Sequence, residues 1–195
     1  MQLVEGCRKR GLDRVVVTDH WSTAGALAAK ELDPELVIVG EEVLTDRGEL
    51  LCAFVTEEIP RKMPFREAIA ALREQGAFIS VSHPFDPRRS FWSPTELEEL
   101  GRLVDAFETF NARNLLPRYN QQAADFAARM GKPGTAGSDA HTVEELGRAV
   151  MRLPDFTDGD SLRAAIPQAE FQVESSGPWV RVRSRWARAT RRFRR

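Results

Sequence analysis

The sequence has 195 residues, of which 42% are hydrophobic and 29% charged, and its formal net charge is -1. These values are ordinary for a globular protein with one core, and they exclude global disorder and a fibrous repeat. The absence of a long uncharged apolar run predicts no transmembrane segment, and the first residues lack the apolar core of a signal peptide. Cys7 and Cys52 form neither a CxxC pair nor a disulfide framework, which indicates a reducing, cytoplasmic location.

Charge is distributed unevenly along the chain. Eight of the 28 basic residues are arginines within 178–195, a stretch that contains no acidic residue. We therefore divide the sequence into a globular domain, 1–177, and a basic tail, 178–195. Because the domain is acidic overall, an anionic substrate must be met there by local positive charge or by metal. The tail either contacts anionic lipid or nucleic acid or is a disordered solubilising extension.

Helical stretches alternate with short β-branched runs along the domain. The predicted helices are 2–10, 23–30, 64–75, 93–100, 116–130 and 142–146. The predicted strands are 14–18, 36–39, 49–55, 77–82, 105–110, 135–138 and 149–153, and the segments 158–166 and 171–173 complete the domain. This alternation predicts an α/β fold of parallel βα units and favours a barrel-like closure over a small open sheet.

The three histidines of the sequence share one kind of position. His20, His83 and His141 each come just beyond the carboxyl end of a predicted strand. That edge of a parallel sheet is where α/β proteins place their active sites. One such histidine alone is more often structural, but packing does not explain why all three share this edge.

Carboxylates accompany these histidines. Asp19 adjoins His20, Glu41 and Glu42 follow a predicted strand, and Asp139 lies two residues before His141. Imidazole nitrogens combined with carboxylate oxygens suit zinc, manganese or iron. The alternatives are that Asp19 and Asp139 are helix N-caps and that Glu41 is a solvated charge.

Five short segments together resemble the PHP (polymerase and histidinol phosphatase) superfamily. They are 15–20 (VVVTDH), 40–42 (GEE), 82–85 (SHPF), 107–111 (FETFN) and 137–141 (GSDAH), in the family's order and at similar intervals. The resemblance covers about residues 3–150 and implies a distorted TIM-like (β/α)7 barrel that binds two or three divalent metals. It also implies that the family's first strand, which bears a His-x-His pair, is missing, either through a truncated gene model or in a naturally shortened protein.

The resemblance assigns roles to individual residues. Glu42 matches the glutamate that bridges metals, and the segment 108–111 lacks the histidine or cysteine that many relatives supply there. The residues that match terminal metal ligands are His20, His83, Asp139 and His141. Asp19 is assigned to orienting a ligand histidine or a metal-bound water, so Asp19 and Glu42 are the expected catalytic residues.

Arginines and tryptophans near the predicted edge are candidates for binding substrate. Arg88, Arg89 and Arg113 are candidate phosphate clamps, because a guanidinium binds phosphate in a bidentate manner; the alternative is that they are solvated loop residues. Trp21 and Trp92 are either substrate-stacking groups or packing residues.

The resemblance implies a metal-dependent phosphoesterase that uses metal-activated water. The expected cofactors are Mn, Zn or Fe ions, and the expected substrate is a phosphorylated small molecule or a nucleic-acid end. A nucleotide phosphatase and a 5′-3′ exonuclease both fit this description. The alternative function is a truncated, catalytically inactive PHP-like metal-binding or interaction module.

Overall fold

The computed structural model describes residues 2–174, so the predicted basic tail lies outside the described residues. The helices are α1 (Gln2–Lys9), α2 (Ala24–Leu32), α3 (Phe65–Glu74), α4 (Pro94–Leu103), α5 (Pro117–Arg129) and α6 (Gly159–Ala165). The strands are β1 (Val15–Val17), β2 (Val37–Leu44), β3 (Glu49–Ala53), β4 (Phe78–Val81), β5 (Ala106–Asn111), β6 (Gly134–Gly137), β7 (Ala149–Arg152) and β8 (Glu170–Val173). None of these helices is long and apolar enough to span a bilayer.

The first six strands form one curled sheet in chain order, β1 to β6, and the last two form a separate antiparallel pair. Strands β1 and β2 are parallel, as are β4, β5 and β6. Strand β3 runs antiparallel to both of its neighbours. The predicted α/β class is confirmed, and the described strands form a half-barrel. The closed seven-stranded barrel with a missing first strand stays a prediction.

Strand β2 is longer than the sequence predicts. The predicted strand ends at 39 because two glutamates follow, whereas β2 continues to Leu44. The extension is stabilised by β3, which pairs with β2 so that Leu51 lies opposite Glu42 and Glu49 lies opposite Leu44. Glu42 therefore stands inside a strand whose position is fixed by hydrogen bonds on the side of β3.

The main core lies between this sheet and helices α3, α4 and α5. Phe107 of β5 is fully buried and meets Phe126 of α5 edge-on, with 5.2 Å between ring centroids. Trp92 is also buried and packs edge-on against Phe65, so its ring belongs to the core and is not free to stack on a substrate. Because α5 is fixed in this way, the loops that connect it to β5 and β6 are held at defined places.

A carboxylate at the start of β5 joins the helices to the sheet at the end opposite to the predicted site. Asp105 accepts hydrogen bonds from Arg73 of α3 and Arg163 of α6, at 2.8 Å and 3.1 Å, and from the backbone N–H of Ile79 at 2.8 Å. Its side chain is only 9% exposed. Losing it would remove an acceptor from two guanidinium groups and from a backbone N–H.

We expect Asp105→Ala to lower the free energy of unfolding by about 2–3 kcal/mol, less than for a fully buried pair because both arginines remain partly solvated. Urea unfolding followed by circular dichroism would measure the change. Asp160→Ala is the matched control, because Asp160 also contacts Arg163 but its side chain is 92% exposed. We expect the control to cost no more than about 0.5 kcal/mol. Equal losses in the two variants would contradict the importance of the buried carboxylate.

Candidate metal centre

The carboxylate of Glu42 lies between two histidines. Its Oε2 is 2.6 Å from Nδ1 of His20, and its Oε1 is 3.4 Å from Nε2 of His83. The hydroxyl of Ser82 donates a hydrogen bond to Oε1 at 3.1 Å. Each oxygen of Glu42 therefore faces a different imidazole, and the side chain is almost buried.

Backbone hydrogen bonds place His20 beside Glu42. The N–H of Glu42 donates to the carbonyl of Asp19 at 3.1 Å, and the N–H of Trp21 donates to the carbonyl of Glu42, also at 3.1 Å. His20 thus forms an isolated parallel bridge with Glu42 beyond the end of β1. The loop after β1 is held against β2 at the residue that supplies the central carboxylate.

Glu49 is a fourth member of this cluster and was missed by the sequence analysis. Its Oε2 is 3.3 Å from Nε2 of His83. Ligand atoms of His20, Glu42 and Glu49 all lie within 4.8 Å of one another, which is close enough for one cation to contact all three. Glu49 is the first residue of an antiparallel strand, so the search for residues at the carboxyl ends of parallel strands could not find it.

His141 and Asp139 lie next to the cluster, on the loop after β6. The centroids of the imidazole rings of His141 and His20 are 5.7 Å apart, and Nδ1 of His141 is 3.4 Å from Oδ1 of Asp139. The other oxygen of Asp139 accepts a hydrogen bond from Arg89 at 2.5 Å. The five predicted ligands thus lie next to one another, although Asp139 already has an arginine partner.

Opposite charges compensate each other in the cluster. Burial alone would lower the pKa of His83, but the hydrogen bonds with Glu42 and Glu49 outweigh it and raise that pKa to about 9. The hydrogen bond with Glu42 likewise raises the pKa of His20. Burial opposes ionisation of Glu42, yet the two imidazoles hold the pKa of its carboxyl below the ordinary value. The cluster is therefore built to hold carboxylate and positive charge together.

Glu108 stabilises the backbone of the centre at His83. It is buried and accepts hydrogen bonds from the backbone N–H of His83, at 2.7 Å, and from the side-chain amide of Asn111, at 3.1 Å. His83 has a φ of 27°, which is strained for a residue with a side chain, and the bond to Glu108 stabilises that conformation. Burial raises the pKa of Glu108 to about 7.

Of the other predicted site residues, Asp19 and Arg113 lie in different surroundings. The carboxylate of Asp19 is exposed and lies beside Gly25 in the first turn of α2, whose N-cap is Thr23. Arg113 is 8% exposed and pairs with the fully buried Glu145 at 3.3 Å. Glu145 also accepts a hydrogen bond from the backbone N–H of His141 at 2.9 Å. Arg113 is thus linked through Glu145 to the loop that carries His141.

The arginines after β4 differ from each other. Arg88 is exposed, and its backbone N–H donates a hydrogen bond to Asp86. Arg89 is partly buried and donates to Asp86 and Asn114 in addition to Asp139. Most donors of Arg89 are therefore already engaged with the protein.

Similar proteins share this fold and part of this sequence. The PHP-associated family model matches residues 117–170. The uncharacterized protein MJ0417 of Methanocaldococcus jannaschii is 38% identical over 123 residues, which are 61% of this chain and 52% of that protein. The chain spans about half the length of the curated relatives it matches.

Two crystal structures are similar to the chain over most of its length. PsfC from Pseudomonas syringae superposes with a TM-score of 0.72 at 19% identity, covering 97% of this chain and 88% of PsfC. A two-domain protein of Bacteroides vulgatus, described as containing a predicted PHP-like metal-dependent phosphoesterase, gives a TM-score of 0.68 at 16% identity over 89% of this chain and 60% of that one. At these identities the two structures show that the chain shares their fold, and the family match is confined to residues 117–170.

We expect Glu49→Gln to weaken Mn²⁺ binding by about tenfold or more, because it replaces a charged ligand oxygen with a neutral amide. Isothermal titration calorimetry on the purified protein would measure affinity and stoichiometry. Glu41→Gln is the matched control: Glu41 is the neighbour of Glu42 in β2, but its Oε2 accepts from the N–H of Ile59 instead. Unchanged Mn²⁺ binding in Glu49→Gln would exclude Glu49 as a ligand.

Proposed function

We propose that the chain is a metal-dependent phosphoesterase whose cations are held by the cluster around Glu42. The observation that carries this proposal is the orientation of the Glu42 carboxylate, which presents one oxygen to His20 and the other to His83. A carboxylate that bridges two cations must present its oxygens to two sides in this way. The proposed terminal ligands are His20, His83, Asp139 and His141, with Glu49 added from the structure.

The residues present fit divalent cations. The donor set combines imidazole nitrogens with carboxylate oxygens, as Mn, Zn and Fe ions require. Nε2 of His83 faces the carboxylates of both Glu42 and Glu49, so a cation placed there meets two negative charges. When bound, such cations supply a water of lowered pKa and neutralise charge on the phosphoryl group.

Several residues of the chain act on the substrate or its surroundings in this proposal. Arg88 is exposed and available to bind phosphate. Arg89 could reach phosphate only by giving up a protein partner, and Arg113 acts through Glu145 on the loop of His141. Asp19 keeps its proposed role as an orienting residue near His20.

The proposed substrate is a phosphomonoester or phosphodiester, either a phosphorylated small molecule or a nucleic-acid end. Nucleotide phosphatase and 5′-3′ exonuclease are the two activities we propose to test first. The expected location is the cytoplasm, in keeping with two free, buried cysteines. The closed, distorted TIM-like (β/α)7 barrel belongs to the same proposal.

One contact favours a second candidate, an inactive PHP-like metal-binding or interaction module. Arg89 donates to Asp139 at 2.5 Å and so engages an oxygen that a metal ligand needs. A guanidinium in that position neutralises Asp139 without any metal ion. A module of this kind would bind metal through Glu42 and its neighbours but would not hydrolyse phosphoesters.

We expect the protein with Mn²⁺ to hydrolyse an aryl phosphate or a bis-aryl phosphate, and chelation by EDTA to abolish the reaction. Glu42→Gln should lower kcat on the order of 100-fold or more, because both cations lose their shared ligand. Release of 4-nitrophenol would measure the rates, with Glu98→Gln, an exposed change on α4, as the control. Metal binding without hydrolysis of either ester would contradict the enzyme and support the inactive module.

A further inference from the structure

The exposed guanidinium of Arg61 lies on the ring of Trp21, which neighbours the metal centre. Cζ of Arg61 is 4.0 Å from the centroid of the Trp21 ring, and that ring is 5.6 Å from the imidazole of His20. Within residues 2–174, the Arg61 side chain forms neither a hydrogen bond nor an ion pair. The protein therefore holds a positive charge, without a carboxylate partner among these residues, on the ring that neighbours His20.

Backbone hydrogen bonds anchor the loops that carry Trp21 and Arg61 to strand β2. Trp21 has a φ of 59°, an unusual value for a bulky residue, and its N–H donates to the carbonyl of Glu42 at 3.1 Å. Lys62, next to Arg61, has a φ of 61°, and its N–H donates to the carbonyl of Leu44 at 2.7 Å. The two loops are thus anchored two residues apart on the strand that carries the central carboxylate.

Glu58 ties the two loops to each other. Its Oε1 accepts a hydrogen bond from the backbone N–H of Thr23 at 2.7 Å and another from the hydroxyl of Ser22 at 2.9 Å. Thr23 is buried, whereas the Glu58 carboxylate that it bonds is exposed. The relative position of Trp21 and Arg61 is therefore set by the fold and not only by their mutual attraction.

Stacking leaves the guanidinium able to bind an anion. It uses the flat face of Arg61, whereas the five N–H donors of a guanidinium point outward in its plane. Attraction between a cation and an exposed ring is also weak, so a phosphate can draw the side chain toward itself. Arg89 and Arg113 differ in this respect, because carboxylates of the protein already engage them.

We propose that Arg61, held on Trp21, binds the phosphate group of the substrate from the side of His20. This inference rests on the proposed phosphoester hydrolysis and adds a substrate-binding residue that the sequence motifs do not contain. Arg61 is the binding group, and Trp21 is a positioning residue that keeps the guanidinium near the metal centre. The ligand chemistry is that of a phosphate with at least two free oxygens, which a guanidinium contacts in a bidentate manner.

Binding of inorganic phosphate to the Mn²⁺-loaded protein tests the proposal by calorimetry. We expect Arg61→Ala to weaken binding about tenfold or more, because charge-assisted hydrogen bonds are lost. Arg61→Lys should recover only part of the affinity, since an ammonium lacks the bidentate geometry. Trp21→Ala should weaken binding about threefold, and Trp21→Phe less, since a ring remains.

Arg129→Ala is the matched control. Arg129 also stacks on an aromatic ring, with Cζ 4.8 Å from the centroid of Phe126, but it lies at the carboxyl end of α5, away from the centre. We expect this variant to bind phosphate like the wild type. Wild-type affinity in Arg61→Ala, an equal loss in Arg129→Ala, or no phosphate binding by the wild type would each overturn the proposal.

Hydrolysis of 4-nitrophenyl phosphate separates this inference from the proposed function. If both hold, Arg61→Ala raises KM about tenfold and changes kcat little, because Arg61 is not among the cation ligands. If the wild type hydrolyses no ester but Arg61→Ala still loses phosphate affinity, the binding residue stands and the phosphoesterase fails. If Arg61→Ala hydrolyses the ester with wild-type KM, the phosphoesterase stands and the role of Arg61 is refuted.

Discussion

The arrangement of the centre depends on burying one carboxylate, that of Glu42, inside a strand. A buried carboxylate is costly unless positive charge or hydrogen bonds compensate it. His20 from the loop after β1 and His83 from the loop after β4 supply that compensation, one on each oxygen. The requirement therefore brings two loops, far apart in sequence, to the same point on β2. The same convergence produces a set of donors that suits cations.

The fold was predictable where the chain alternates between apolar runs and helical periodicity. The strands β4, β5 and β6 lie within one residue of their predicted places, and each follows a helix of the predicted alternation. The extension of β2 through Glu42 to Leu44 could not be predicted, since two adjacent glutamates ordinarily end a buried strand. The pairing with β3 holds this extension in the sheet, and cross-strand pairing is not encoded locally.

The candidate centre was predictable to the extent that it follows the parallel-strand rule. His20, His83 and His141 follow strands at one edge, and the structure brings them together. Glu49 obeys a different rule: it lies opposite Leu44 across the β2–β3 pair, and Leu44 shares a face of β2 with Glu42. Its proximity to the centre is therefore a consequence of register. The engagement of Arg89 by Asp139 likewise depends on neighbours that no local pattern reveals.

Two loops that carry predicted ligands have strained backbone, and buried carboxylates stabilise that backbone. His83 and Asp139 both have positive φ values, which cost free energy in residues other than glycine. Glu108 bonds the N–H of His83, and Glu145 bonds the N–H of His141 in the loop of Asp139. Neither of these buried glutamates was among the predicted ligands, and each accepts a hydrogen bond from the backbone of a loop that carries one. Since buried carboxylates accept hydrogen bonds from the backbone of the strained loops, the direction of the ligand side chains is set by the fold before any cation binds.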